Sequence, residues 1–327
     1  MAELQAFSFP LEDPNRVELV ELISATQFVA IGNRINMLHE KLFDEANHQI
    51  LELIASIESG EFNTTFWNKE CGRQMICFSG GDFSKQQTLQ LCSDFLNTPN
   101  FVTHNNKGRS IKLASKDIII GELDKESWEV WTNNLHEQTD FDCEDKKELS
   151  AAISIMQTHI SDYYSWVHDV LNEIIPVKRP NPNTLISGSI RYRYGAVEIA
   201  FPSNRFEIIE MLIHECSHQY FNLAFSLGDM VMKDAPEIYS PLKEKKRPLF
   251  FLLTGYHAFA NVLMAYDSLE RAGFSKEIKG RQAKASDYVL ELEEGLLANK
   301  KYLTTLGLSI FTPLYKAVNR IAEDEYV

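Results

Sequence analysis

Residues 204–228, NRFEIIEMLIHECSHQYFNLAFSLG, decide how this chain builds a candidate reactive centre. Asn204 and, three residues later, Glu207 form the pattern of a capping box, which predicts that a helix starts here. Apolar residues follow at helical spacing, and Gly228 predicts that the helix ends near Leu227. The sequence therefore predicts one long helix across this stretch.

This helix contains the run His214-Glu215-Cys216-Ser217-His218, which has the HExxH pattern. Positions i and i+4 lie on one face of a helix with Cβ atoms about 5–6 Å apart, so two imidazoles there can hold one metal ion. Glu215 lies about 100° around the axis from His214, within reach of a metal-bound water. Cys216 lies about 200° away, so we predict that it is neither a ligand nor a nucleophile. The alternative is two chance histidines on a surface helix.

Two histidines leave a catalytic metal site incomplete, because such sites usually have three protein ligands and an open position. The third histidine of the metzincin motif would stand where this chain has Ala224. His257 is one candidate, because a lone imidazole in an apolar segment needs a partner. Its alternative role is a core histidine bonded to a carbonyl group. Three glutamates that follow the motif in the sequence are also candidates: Glu237, Glu244 and Glu270.

The composition of the 327 residues indicates a folded soluble protein that is 44% hydrophobic and 24% charged. The formal net charge of -14 argues against binding to nucleic acids or anionic membranes. The sequence starts without a secretory signal pattern, and its odd number of cysteines lacks CxxC spacing. We therefore predict a reducing compartment and a cytoplasmic location. Residues 248–266 resemble a membrane span in length, but Thr254, His257 and Asn261 favour a buried core helix.

The pattern of residues predicts a mostly helical α+β fold, with the HExxH helix packed against a second buried helix and a small strand segment before the motif. Helices are predicted at residues 17–45, 48–57, 86–96 and 148–175, and a strand pair or an edge strand at 110–120. Short strands at 185–192 and 196–201 precede the motif helix, and the second buried helix starts at Pro248 and ends before Gly273. The charged stretch 143–147 is predicted as a loop. It divides the chain into a helical N-terminal region, 1–147, and a metal-binding catalytic region, 148–327.

Several blocks around the motif resemble one family in their order and spacing. From about Ser187 to Leu269 the chain resembles the HExxH-type peptide β-hydroxylases of ribosomal peptide modification, which use iron and 2-oxoglutarate. The blocks are Ser187-Gly188-Ser189, Tyr194-Gly195-Ala196, Ala200 and Pro202, the motif itself, Tyr239-Ser240-Pro241, Arg247-Pro248-Leu249 and Gly255-Tyr256-His257-Ala258-Phe259. The chain departs from the family at Ser217, where a Gln is frequent. The resemblance covers about a quarter of the chain, and the first 150 residues match only in being helical.

The resemblance implies an Fe(II)- and 2-oxoglutarate-dependent oxygenase that hydroxylates a β-carbon in a peptide substrate. His214, His218 and His257 would then bind the iron, and Glu215 would orient ligands or water rather than take a proton. An arginine would bind the distal carboxylate of 2-oxoglutarate. The candidates are Arg191, Arg193 and Arg247.

Two other functions stay open on the sequence. In a zinc metallopeptidase, Glu215 would be the general base and a later glutamate the third ligand. A non-catalytic, metal-stabilised interaction module would use the N-terminal helices as its binding surface. The sequence names neither the peptide nor the oligomeric state.

Overall fold

The computed structural model of this chain describes residues 7–10, 16–20, 110–113, 116–121, 136–189, 195–240 and 244–324. Residues 16–20 are helical and overlap the start of the helix predicted at 17–45. The rest of that prediction, and the helices predicted at 48–57 and 86–96, lie outside the described residues.

The described part of the chain is a mostly helical α+β structure, which confirms the predicted fold class. The helices are α1 (Cys143–His159), α2 (Ser161–Val170), α3 (Arg205–Phe225), α4 (Leu249–Leu269), α5 (Ser275–Ala298) and α6 (Thr305–Asp324). The strands are β1 (Ser110–Leu113), β2 (Lys116–Ile120), β3 (Glu173–Lys178), β4 (Ser187–Ser189), β5 (Ala196–Phe201), β6 (Glu237–Ser240) and β7 (Lys245–Pro248).

Five strands form one mixed sheet in the order β1-β2-β3-β5-β4. The pairs β2–β3 and β3–β5 are parallel, whereas β1–β2 and β4–β5 are antiparallel. The β1–β2 hairpin confirms the strand pair predicted at residues 110–120, and β5 matches the predicted strand at 196–201. The sheet positions the candidate site because β4 and β5 immediately precede helix α3.

Helix α3 has the predicted start, since Asn204 and Glu207 form both hydrogen bonds of a capping box. It packs against α4, whose buried residues include His257 and Asn261. Pro248 was predicted as the first helical residue of α4. In the structure it is the N-cap, and the helix begins one residue later, at Leu249. The helical stretch Leu249–Ala298 is long and apolar enough to cross a membrane, but 61% of its most apolar window is buried inside the molecule.

The helix predicted at residues 148–175 is wrong in both its start and its end. Asp142 caps α1 through a capping box with Asp145, so the predicted loop at 143–147 is the first turn of that helix. The helix ends at His159, α2 follows after Ile160, and residues 173–178 form the buried strand β3. A short continuous apolar run fits a buried parallel strand as well as a helix, and periodicity alone does not separate them. Residue 147 lies inside α1, and the division of the chain into two regions there stays a prediction.

Two further features lie on either side of the motif helix. The stretch between α3 and α4, for which no strand was predicted, contains the antiparallel hairpin β6–β7. Gly195 has a φ of 79°, a conformation that other residues rarely adopt. A Cβ atom there would also lie 2.1 Å from the side-chain nitrogen Nδ2 of Asn172, so the turn before β5 requires glycine.

Candidate metal centre

The two histidines of the motif converge on one point beside α3. The Nε2 atoms of His214 and His218 are 3.1 Å apart, and their ring planes are perpendicular. The ring of His214 also packs edge-on against Phe259 of α4 at 4.8 Å between centroids. The i, i+4 spacing therefore brings the two side chains together as predicted.

The distance between the two Nε2 atoms fits a shared metal ion. Metal–nitrogen bonds of about 2.0–2.1 Å with the nitrogens 3.1 Å apart enclose an angle of about 98°. This angle lies between the ideal octahedral and tetrahedral values, so the pair suits iron and zinc alike.

Burial keeps the histidines in the form that binds metals. Desolvation, with a smaller contribution from neighbouring imidazoles, lowers the pKa of His214 and His218 to about 4, and Glu215 partly opposes the shift of His218. At neutral pH both rings are therefore uncharged, with a lone pair on one nitrogen each. Neither ring carries the second proton that would make it a cation and exclude a metal ion. The Nδ1 atom of His218 is buried and has no hydrogen-bond partner among the described residues.

Glu215 is fixed from the sheet side of the site. The hydroxyl of Ser187 in β4 donates to Glu215 Oε1 at 2.6 Å, while Glu215 Oε2 is buried and has no partner among the described residues. The Glu215 side chain is therefore held in one orientation by a strand that precedes its helix. A carboxylate oxygen without a donor is available to a water or a ligand.

His257 lies in α4 near this pair but makes a contact of its own. Its ring is fully buried, and its Nε2 atom lies 2.7 Å from the carbonyl oxygen of Phe7. Among the described residues, its buried Nδ1 atom makes no hydrogen bond of normal geometry. Desolvation lowers the pKa of His257 to about 4 and nearby His218 contributes, whereas hydrogen bonds with the backbone of Phe7, Ser8 and Ser217 partly oppose the shift. The carbonyl contact fits a core histidine, and it fits a metal ligand too, because ligating histidines usually donate their second N–H to such a group.

In the described part of the chain, no three His, Cys, Asp or Glu side chains converge as a group that could hold a metal ion. His257 as the third ligand therefore stays a prediction. Of the alternative carboxylates, Glu237 and Glu244 are exposed. Glu270 accepts hydrogen bonds on both oxygens, from Ser275 and Gln282.

The structure describes one of the three arginines predicted to bind 2-oxoglutarate. Arg191 and Arg193 lie outside the described residues. Arg247 lies in β7, with its guanidinium carbon 4.2 Å from the ring centroid of Phe251. A role in binding a carboxylate stays a prediction for all three.

The sequence analysis missed a second pair of ionisable groups near the site. His136 Nδ1 donates to Glu198 Oε2 at 3.0 Å, and this hydrogen bond raises the pKa of His136. Glu198 is the one charged residue of strand β5, which is buried throughout. A lone carboxylate in an apolar strand needs a partner, which is the signal that sequence reasoning could have used.

Neither a scan against protein-family models nor a search of curated proteins found a match for the chain.

Proposed function

We propose that this protein is an Fe(II)- and 2-oxoglutarate-dependent oxygenase that hydroxylates a β-carbon of a residue in a peptide. The observation that carries the proposal is the converging pair of uncharged imidazoles, His214 and His218, in the middle of a buried helix. The order of the sequence blocks between Ser187 and Leu269 supports the reaction and the peptide substrate.

The state of the carboxylates favours an oxygenase over a glutamate-liganded peptidase. A peptidase of the glutamate-liganded type takes a carboxylate as its third ligand, and the three candidates are exposed or bonded elsewhere. His257 is the remaining candidate, because its ring is buried beside the motif helix and His218 lies close enough to lower the pKa of His257. Three neutral nitrogens would be a variant of the two-histidine, one-carboxylate iron site.

In this proposal each side chain has a limited task. His214 and His218 would bind the metal through Nε2, and His257 would complete the set. Bound iron, with 2-oxoglutarate and O₂, supplies the oxidising power for removing a hydrogen from the substrate. Glu215, held by Ser187, orients a ligand or water beside the histidines and is not required as a base. Arg191, Arg193 or Arg247 would bind the distal carboxylate of 2-oxoglutarate.

The test is metal analysis of anaerobically purified protein together with an assay of succinate formed from 2-oxoglutarate. We expect close to one iron per chain and succinate formation in the wild type. The variants His214→Ala and His218→Ala should hold far less iron, whereas His159→Ala, an exposed histidine at the end of α1, should match the wild type. Full iron occupancy in both motif variants would contradict the proposed site.

A zinc metallopeptidase is the second candidate, and the unpartnered Oε2 atom of Glu215 favours it. A carboxylate beside the first ligand can take the proton of a metal-bound water. Glu215→Gln separates the two, because it removes the base and keeps the side-chain shape. A peptidase should lose nearly all turnover, while the oxygenase should keep part of its succinate formation. Zinc-dependent peptide cleavage by the wild type, without 2-oxoglutarate turnover under iron, would rule out the oxygenase.

A further inference from the structure

The first residue of strand β2 is a lysine on the core side of its hairpin. Side chains alternate between the two faces of a strand, and Ile118 and Ile120, which share a face with Lys116, are both buried. Lys116 also pairs with Leu113, a buried residue of β1. Lysine is rare at such a position, because its ammonium group loses contact with water there.

The amine of Lys116 reaches helix α2, where little offsets this loss. Its Nζ atom donates to the carbonyl of His168, in the last turn of α2, at 3.1 Å. Among the described residues this is the one hydrogen bond of a group with three protons, and Lys116 forms no ion pair with them. Asp169 is close enough to favour the ammonium form, but its Oδ2 atom already lies 2.8 Å from both Nε and Nη2 of Arg16. The Lys116 side chain is partly exposed, so small molecules can reach it.

We propose that Lys116 is a modification site, at which small acyl phosphates acylate the side-chain amine ahead of the exposed lysines of the chain. The neutral amine attacks the acyl carbon and forms a carbon–nitrogen bond. The bond from that carbon to the bridging oxygen breaks, and phosphate leaves with its electron pair and takes up the proton that the nitrogen loses. The product is an amide. The inference is independent of the metal site and of the proposed oxygenase.

The enclosure of the amine favours the attack. Loss of hydration lowers the pKa of Lys116 to about 8, although Asp169 and Cys216 favour the charged form. At pH 7.5 the neutral, nucleophilic fraction is then about two hundred times that of an ordinary lysine. Lower basicity and partial burial slow each attack, so we expect a net gain of about tenfold.

The amide product suits this position better than the ammonium group does. Acylation removes the charge, so no enclosed cation is left without a counter-ion. The amide nitrogen keeps one proton, which it can still donate to the carbonyl of His168. The reaction therefore removes the cost of enclosing a charge and keeps the hydrogen bond to α2.

The first experiment measures the initial rate of acetylation at each lysine of the folded full chain, with acetyl phosphate at pH 7.5. The remaining amines are then labelled with an isotopic acetyl reagent in urea, and mass spectrometry of the peptides gives the rates. Lys112 is the matched control, because it lies in the same hairpin, but its side chain is 71% exposed and pairs with Asp117 at 3.1 Å.

We expect Lys116 to react about tenfold faster than Lys112 in the folded chain, and the two lysines to react at similar rates in urea. The comparison with the unfolded chain removes any effect of the neighbouring sequence. Equal rates in the folded chain, or a slower rate at Lys116, would overturn the inference.

The second experiment repeats the measurement from pH 7 to pH 10. The rate at Lys116 should level off above about pH 8, because most of the amine is then neutral. The rate at an ordinary exposed lysine keeps rising to about pH 10. A rate at Lys116 that also rises throughout this range would show that its amine is an ordinary one, and the proposed site would be refuted.

Discussion

At the scale of single residues, position around α3 separates the reactive side chains from the inert one. His214 and His218 share a face and converge, whereas Cys216 points into the core and is fully buried. Burial raises the pKa of the Cys216 thiol far above its usual range, so the reactive thiolate form is suppressed. The position of the thiol in the motif therefore gives it no part in the chemistry.

We predict that Cys216→Ala leaves metal content, turnover and the number of fast-reacting thiols of the native protein unchanged. Reaction with a thiol-specific chromogenic disulfide under native conditions measures this number. The comparison variant is Cys143→Ala, because Cys143 is exposed and its loss should remove one fast-reacting thiol. A folded Cys216→Ala protein that lacks its metal, or that has lost one fast thiol, would show that Cys216 is accessible or functional.

At the scale of elements, the start of α3 and the middle of α5 are joined by a cluster of charged side chains. Arg281 of α5 donates to both Glu207 and Glu210 in the first turns of α3, with 2.9 Å between Arg281 Nη1 and Glu210 Oε2. Arg179 binds the same Glu207 with two hydrogen bonds of 2.9 Å. The carboxylate of Glu207 is nearly inaccessible to solvent, so it depends on these partners.

We expect Arg281→Met to lower the free energy of unfolding by about 1–3 kcal/mol, because it leaves two enclosed carboxylates short of a cation. The estimate is reduced from that of a fully buried pair, since 27% of the Arg281 side chain is exposed. Arg271→Met is the control: it removes an ion pair with Asp267 whose arginine is 61% exposed, and it should cost under about 1 kcal/mol. Urea unfolding of the three proteins measures both values. Equal stabilities of the two variants would show that the cluster adds nothing to the packing of α5 on α3.

The sequence predicted those elements that have a local signal. The capping box at Asn204, the alternation in β1–β2 and the helical spacing in α3 each depend on neighbours within a few residues. Strand β3 was not predicted, because its apolar run Ile174-Ile175-Pro176-Val177 is short and closely follows a helix. The hydrophobic pattern of so short a run does not distinguish a strand from a continued helix. The motif histidines could be predicted for the same local reason. Ser187 and Glu198 could not be linked to the site, because the pairing of β4 with β5 and the packing of α3 bring them there.

At the scale of the whole molecule, long-range contacts determine the environment of the third histidine. The sequence shows His257 in an apolar helix, but it gives no sign that the carbonyl of Phe7 meets it. That contact closes a loop of 250 residues, and it buries an ionisable group at the junction of α4 with the start of the chain. Such a group couples the stability of the fold to pH.

The buried state of His257 predicts that the metal-free protein loses stability on mild acidification. The pKa of His257 is about 4 in the folded chain and about 6.5 when unfolded, so the folded value is depressed. Above pH 6.5 neither state takes up a proton, and His257 gives no pH dependence. As the pH falls from 6.5 to 4, the unfolded chain binds a proton that the folded chain does not, so stability falls. His214 and His218 shift the same way but keep partial contact with solvent, so we assign them a smaller effect.

The expected loss from His257 alone is about 2–3 kcal/mol between pH 6.5 and 4, since each pKa unit corresponds to about 1.4 kcal/mol. Urea unfolding of the metal-free wild type and of His257→Gln across this range measures it. Glutamine keeps an N–H donor for the carbonyl of Phe7 but does not titrate, so the variant should lose less stability on acidification. Carboxylates also titrate in this range, and the difference between the two proteins cancels their contribution. His159→Gln, at an exposed position, should follow the wild-type curve. Parallel curves for the wild type and His257→Gln would mean that the imidazole of His257 is not held neutral in the folded chain.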